Sequence, residues 1–131
     1  MEEVLKYLKE CGTFYVATAD GDQPRVRPFG AVCGYDGKLY IVTNNQKNVY
    51  AQMLKNPKVE ISGTIKGTWI RIDAQAVHDS SREARVKMME DNNAALSRLY
   101  TVDDGLMEVL YLKDATATIY SFTGEPKVIK F

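Results

Sequence analysis

The chain is 131 residues long, 45% apolar, and carries 17 basic against 17 acidic side chains, for a formal net charge of zero. That length fits one domain, residues 1–131, able to bury a core without metal or disulfide staples. The charge balance excludes the basic surplus of a nucleic-acid binder. No apolar run is long enough for a membrane-spanning helix, and a single histidine, His78, excludes a multi-histidine metal centre.

The N-terminal MEEVLKYLKE is charged and helical in pattern rather than signal-like. Val4, Leu5, Leu8 and Cys11 recur at helical spacing, Glu2 and Glu3 sit at the favourable end, and Gly12 closes the segment. TFYVATA reads as a strand, and Asp20-Gly21 as a hairpin turn. QPRVRPFGAVCGY reads as a second extended stretch whose prolines, Pro24 and Pro28, place it at an edge or bulge. Asp36-Gly37 turns into KLYIVT, giving a three-stranded meander with the arginine strand as hairpin neighbour of LYIVT. From Gln46 to Lys55 the period changes. Val49, Tyr50, Met53 and Leu54 form a helical stripe that Asn56-Pro57 stops. VEISGTIK and TWIRIDAQAVH are two more strands. Ser80 or Ser81 caps the next helix, with Glu83 in its first turn. A further helix runs through Ala94, Leu96 and Leu99, and Asp103-Asp104-Gly105 ends the helical region. MEVLYLKD and ATATIYSF are read as separate strands, and PKVIKF as a short last one. The expected fold is mainly β with inserted helices, a six- to seven-stranded antiparallel split β-barrel whose closure removes exposed edges.

Alternation assigns faces. In TWIRIDAQA, Ile70, Ile72, Ala74 and Ala76 should fill the interior, which turns Trp69 and Arg71 outward. In PRVRPFG the same rule sets Arg25, Arg27 and Phe29 opposite Val26. An outward face mixing Trp, Phe and Arg has the composition of an interface or ligand wall, although solvated barrel positions have the same pattern. TNNQKN opens a helix, and a helix N-terminus offers free N–H groups to an anion. Lys47 would add a charge and Asn48 two amide donors. Thr43 and Asn44 stand at the strand end. The same residues also suit a plain cap by Asn44 or Asn45, with Lys47 solvated. His78 reads as a surface residue at a strand end. Cys11 and Cys33 fit no metal spacing and read as reduced thiols. No Gly-rich phosphate loop, Ser/His/Asp set or carboxylate pair is present, so no hydrolytic machinery and no catalytic side chain stands out.

The order helix, GTFYVAT, DGDQPRVRPFG, DGKLYIVTNNQKN, helix, NPKVEI, GTWIRIDAQAV resembles the pyridoxamine 5'-phosphate oxidase-like flavin proteins with a split β-barrel. Within them it is most similar to the short, nitroimidazole-resistance-like members. The resemblance implies non-covalent FMN in the two clefts of a cytoplasmic homodimer, and a small-molecule oxidoreductase drawing electrons from NADH, NADPH or another reductant. It implies that Arg27, Pro28, Phe29 and Gly30 line the ring and ribityl chain, and that Thr43 and Asn44 touch the ring or its tail. Lys47 and Asn48 would hold the phosphate, with Arg25 adding charge. Trp69 and Arg71 would reach the flavin from the second subunit, and Phe122 would flank the ring. Two departures stand out: Lys47 occupies the place of the family's usual serine and Asn48 that of its basic residue, and the chain ends in GEPKVIKF without the Arg-x-His element of the true oxidase. Oxidation of pyridoxamine phosphate itself is therefore not expected, and His78 does not match the histidine of haem-degrading relatives. Two alternatives share the barrel: an F420-dependent reductase, against which the neutral charge argues, and a non-catalytic flavin-binding module.

Overall fold

The structure, a computed structural model, describes residues 1–131. In chain order it runs α1 (Glu2–Cys11), β1 (Phe14–Asp20), β2 (Gln23–Phe29), β3 (Val32–Tyr35), β4 (Lys38–Asn44), α2 (Asn48–Lys55), β5 (Lys58–Ile65), β6 (Thr68–Asp79), α3 (Arg82–Asp91), α4 (Asn93–Leu96), β7 (Met107–Ser121) and β8 (Lys127–Lys130). The chain is thus mainly β with inserted helices, in one antiparallel sheet of eight strands rather than six or seven. No helix is long and apolar enough to cross a membrane.

The strands lie in the order β2-β1-β5-β6-β7-β4-β3, with β8 pairing β7. The ladder does not close, so β2 and β3 remain edges. This corrects the expected meander: QPRVRPFGAVCGY is two strands, broken at Gly30 and Ala31, and these lie at opposite ends of the sheet. The arginine strand is therefore not the neighbour of β4, which pairs β3 and β7. Yet only two residues separate Phe29 from Val32. Three Cα–Cα steps span at most roughly 11 Å, so the sheet must curl until its two ends nearly meet. The result is a barrel with an unbonded seam.

β7 is one strand of 15 residues where two were expected. It pairs β6 on one side, and on the other β4 through Met107–Tyr111 and then β8 through Thr116–Ile119. The register against β6 slips between Asp73 and Gln75, where Asp114 adopts φ 51°. A bulge of this kind bends the strand and sharpens its twist, and Asp tolerates the left-handed conformation better than most residues.

Sequence periodicity places the interior as expected. Ile70, Ile72, Ala74 and Ala76 on β6 are buried, and Val4, Leu5 and Leu8 bring α1 against the sheet. A second, smaller cluster sits under α3 and α4, built on Cys33, Tyr40, Met88, Leu96 and Val109. The hydroxyl of Ser81 accepts from the Ala84 N–H at the start of α3. On β2 the expected phase is reversed: Val26 is 68% exposed whereas Phe29 is 8% exposed, its ring 6.2 Å from that of Phe14. Arg27 shares the inward phase with Phe29.

Gly63 on β5 is where α1 approaches most closely: a Cβ there would lie 2.8 Å from Cys11 Sγ and 3.4 Å from Phe14 Cβ. Gly63→Ala is expected to lower stability by about 1–3 kcal/mol, and Cys11→Ala in the same chain to recover most of it. Urea melts of the two single variants and the double variant test this, and additive losses would refute the clash. A second expectation concerns Cys33. Burial, reinforced by the Asp91 carboxylate, pushes this thiol up to about 12 from its ordinary 9.0. Above pH 9.0 the unfolded chain releases a proton that the folded chain retains, so this contribution to stability fades as pH rises from 9.0 to about 12. Cys33→Ala should show a shallower decline in stability across that window.

Candidate functional site

The seam of the barrel holds a cavity of about 230 Å³. One wall is the inward side of β2 and the link after it: Arg27, Pro28, Phe29, Gly30 and Ala31. The end of β4 (Val42, Thr43) and the start of α2 (Lys47, Val49) form the floor, and Ala95, Leu96, Leu99 and Tyr100 of the α4 segment face them. The lining is mostly apolar, with two cations and two hydroxyls placed among the apolar groups.

Arg27 is held by neutral partners only. Its Nη1 donates to Thr18 Oγ1 at 2.7 Å and to the carbonyls of Val16 and Arg25, and Nη2 donates to Gln52 Oε1 at 2.8 Å. Thr18 also donates to Gln52 Oε1, at 2.6 Å, which closes a three-residue ring between β1, β2 and α2. Thr18 is 4% exposed, so the Thr18 corner of this ring is buried, whereas Arg27 itself is half-buried and its bond to the Arg25 carbonyl is exposed. Burial, and secondarily Arg25, pull the Arg27 pKa below its ordinary value. A desolvated guanidinium with no carboxylate beside it favours an incoming anion. No carboxylate pairs with Lys47 either, whereas Arg25 is taken up by Asp20 at 3.3 Å.

The turn into α2 is fixed from several sides. Asn44 Oδ1 accepts from the Gln46 N–H at 2.9 Å, and the Lys47 N–H donates to the Asn44 carbonyl at 3.2 Å. The Asn45 N–H donates to the Leu106 carbonyl, and Asn45 Nδ2 to the Gly105 carbonyl at 2.7 Å and Glu108 Oε2 at 3.2 Å. The N-cap is Lys47, in extended conformation and with no side-chain cap. This overturns the alternative of a plain cap by Asn44 or Asn45. The first N–H groups of α2 consequently have no side-chain acceptor, the condition under which a helix start attracts an anion. Thr43, though 4% exposed, lines the cavity, and its hydroxyl has no hydrogen bond within the chain.

Of the residues singled out from sequence, Arg27, Pro28, Phe29, Gly30, Thr43 and Lys47 line this cavity together. Asn44 stands behind it, donating through Nδ2 to Tyr100 Oη at 2.9 Å. Asn48 faces a separate polar hollow with Asp20, Gln52 and Lys55, and Arg25 is exposed. Trp69, Arg71 and Phe122 line no part of the cavity. Trp69 stacks on Tyr120 with ring centroids 5.4 Å apart, Phe122 lies 5.0 Å from Trp69, and Arg71 donates to Tyr120 Oη at 3.0 Å. Phe122 is 84% exposed. The patch is thus outward-facing and aromatic, but Phe29 is not part of it. His78 is also corrected: it is half-buried, 3.1 Å from Glu108 Oε1 and edge-on to Tyr50. Sequence reading placed a helix through Ala94, Leu96 and Leu99, where α4 lies, but gave no site role to it or to Thr18, Gln52 and Tyr100. The one available signal for the wall was the set Leu96, Leu99 and Tyr100, apolar residues in a polar stretch too short for a stable helix.

The chain is thus a split β-barrel protein with an apolar cavity whose lining includes two cations and which borders an uncapped helix start. The chain belongs to the pyridoxamine 5'-phosphate oxidase family, whose model matches residues 1–118. No curated protein matches it. Among solved structures it is 50% identical to a NimC/NimA family protein from Clostridium acetobutylicum, with a TM-score of 0.96 over 100% of this chain and 92% of that one. A FAD-binding protein from Mesorhizobium loti shares the fold at 15% identity and TM-score 0.65, over 92% of this chain and 94% of that one. So does a heme-binding protein from Mycobacterium smegmatis, at 12% identity and TM-score 0.70, over 91% of this chain and 52% of that one.

The Arg27 ring yields a direct test. Gln52→Ala removes the acceptor shared by Arg27 and the buried Thr18, and should cost about 1–3 kcal/mol. Gln52→Glu, which keeps both bonds, should cost less. Equal urea midpoints for the wild type and Gln52→Ala would show that the ring contributes nothing.

Proposed function

We propose that the protein is a flavoprotein that binds FMN across the interface of a homodimer and serves as a small-molecule oxidoreductase. The carrying observation is that a half-buried Arg27, satisfied only by neutral groups, lines the same apolar cavity as Lys47 at the bare start of α2. A phosphate against the cations and the helix start, with a flat ring among the apolar groups, fits this donor set. The unpartnered Thr43 hydroxyl supplies a hydrogen-bonding group beside the ring or its tail. When bound, FMN supplies two-electron transfer. The chain contributes orientation and electrostatics.

The second copy enters through size and surface. A cavity of about 230 Å³ is below the usual 300–1,000 Å³ of a ligand site, so one chain offers too small an enclosure for FMN. The exposed patch of Trp69, Tyr120, Phe122 and Arg71 has the aromatic and arginine content of an interface core. Seated on a partner's seam, it would supply the missing wall and exclude water from the ring. Membership of the flavin-associated family and the FAD-binding neighbour point the same way. NADH or NADPH is the proposed source of electrons.

The expected outcome is a dimer by analytical ultracentrifugation that quenches FMN fluorescence at one flavin per subunit. The double variant Arg27→Ala/Lys47→Ala should bind FMN at least about 100-fold more weakly, while riboflavin, which lacks the phosphate, loses far less. Competition with F420 and turnover with NADH or NADPH define the cofactor and the donor. A monomer that leaves FMN fluorescence unchanged would refute the proposal.

A further inference from the structure

We infer that Tyr100 donates a hydrogen bond to the molecule held in the seam cavity, and that Asn44 sets the direction of that bond. The inference rests on the flavin reading and adds a binding residue to it.

The argument is one of polarity. The Gln46 backbone N–H can only donate, and it donates to Asn44 Oδ1 at 2.9 Å. The oxygen of the Asn44 amide therefore faces Gln46, and its NH₂ group faces away. That NH₂ group meets Tyr100 Oη at 2.9 Å. An amide nitrogen cannot accept, so the phenol oxygen is the acceptor and the phenol proton is left to point elsewhere. No group of the chain receives it. Tyr100 lines the cavity, and the neighbouring side chains on that wall, Ala95, Leu96 and Leu99, carry no acceptor. Packing of the Tyr100 ring against the smaller core cluster limits how far the hydroxyl can swing. Tyr100 is only half-buried, so without a bound molecule this proton is open to water; once the cavity is filled, an acceptor oxygen of the bound molecule takes the place of that water.

The amide itself has little freedom to turn over. Asn44 ends β4, paired with Met107, and the Lys47 N–H holds its carbonyl at 3.2 Å. Reversal would set an NH₂ group against the Gln46 N–H, donor against donor. The direction from Gln46 through Asn44 to Tyr100 thus originates in the backbone of the turn that opens α2. On FMN the acceptor oxygens are of two kinds, those of the ring and ribityl chain and those of the phosphate, and riboflavin carries only the first.

Tyr100→Phe keeps the ring and removes the proton. It is expected to weaken FMN and riboflavin binding alike, by about three- to tenfold, if the acceptor lies on the ring or ribityl chain. If the acceptor is a phosphate oxygen, FMN alone weakens, by about ten- to a hundredfold. Asn44→Asp keeps the shape but offers a carboxylate that takes the phenol proton away from the cavity. With whichever flavin responds to Tyr100→Phe, Asn44→Asp should weaken binding in the wild-type background and have a smaller effect once residue 100 is Phe. Fluorescence titration reads both flavins. Wild-type affinity of Tyr100→Phe for both flavins would overturn the donor role and leave the flavin reading intact. Equal effects of Asn44→Asp in the two backgrounds would overturn the orienting role. A wild-type protein that binds neither flavin would overturn both readings at their common root.

Discussion

Two residues, Gly30 and Ala31, join strands that lie at opposite ends of the sheet, and the rest of the molecule answers to that short tether. A link so brief forces the edges of an eight-stranded ladder to approach without letting them bond. The barrel is closed by chain length and packing rather than by hydrogen bonds. β2 and β3 stay unbonded, and the cavity opens beside the link between them, bordered by Gly30 and Ala31 themselves and by the end of β4. The bulge opposite Ala74, with Asp114 at positive φ, supplies a local bend of the kind such curling needs.

The same constraint explains the electrostatics of the site. Arg27 lies on the inward phase of an edge strand, so its guanidinium points over the seam instead of into solvent. Thr18 and Gln52 satisfy part of it without neutralising it. Lys47 and the start of α2, with no hairpin relationship to β2, arrive at the same cavity because β4 is held by β7 and β3 at the other end of the ladder. The convergence of charge is a product of curling, not of sequence proximity.

Much of this was legible in the chain before folding was considered. Turn chemistry marked Gly12, Asp20-Gly21 and Asp36-Gly37, the cap at Ser81 was readable, and the period-two pattern of β6 assigned both of its faces correctly. The failures have identifiable causes. An edge strand with arginines and a phenylalanine in one phase, and prolines and a valine in the other, gives no clear inside, and treating Arg as outward carried Phe29 with it. A bulge interrupts alternation, which split β7 in two. A four-residue helix is shorter than the window in which helical periodicity shows, so the helix expected through Ala94, Leu96 and Leu99 carried no sign that it walls a cavity or that Tyr100 joins it. The Arg27 ring depends on contacts between β1, β2 and α2 that no local pattern encodes.

The prolines of β2 bear on how copies of this molecule can meet. A paired strand tolerates proline where its missing N–H would have faced away from the neighbour, and Pro24 and Pro28 share that orientation with Val26 between them. Of those three positions along the outer rim, only Val26 retains a hydrogen to offer. An approaching chain therefore finds three carbonyls but a single N–H, which makes this end of the sheet a poor template for extending the ladder. Two molecules can lean on each other at this rim through their side chains, but a ladder between them would lack two of its three donors.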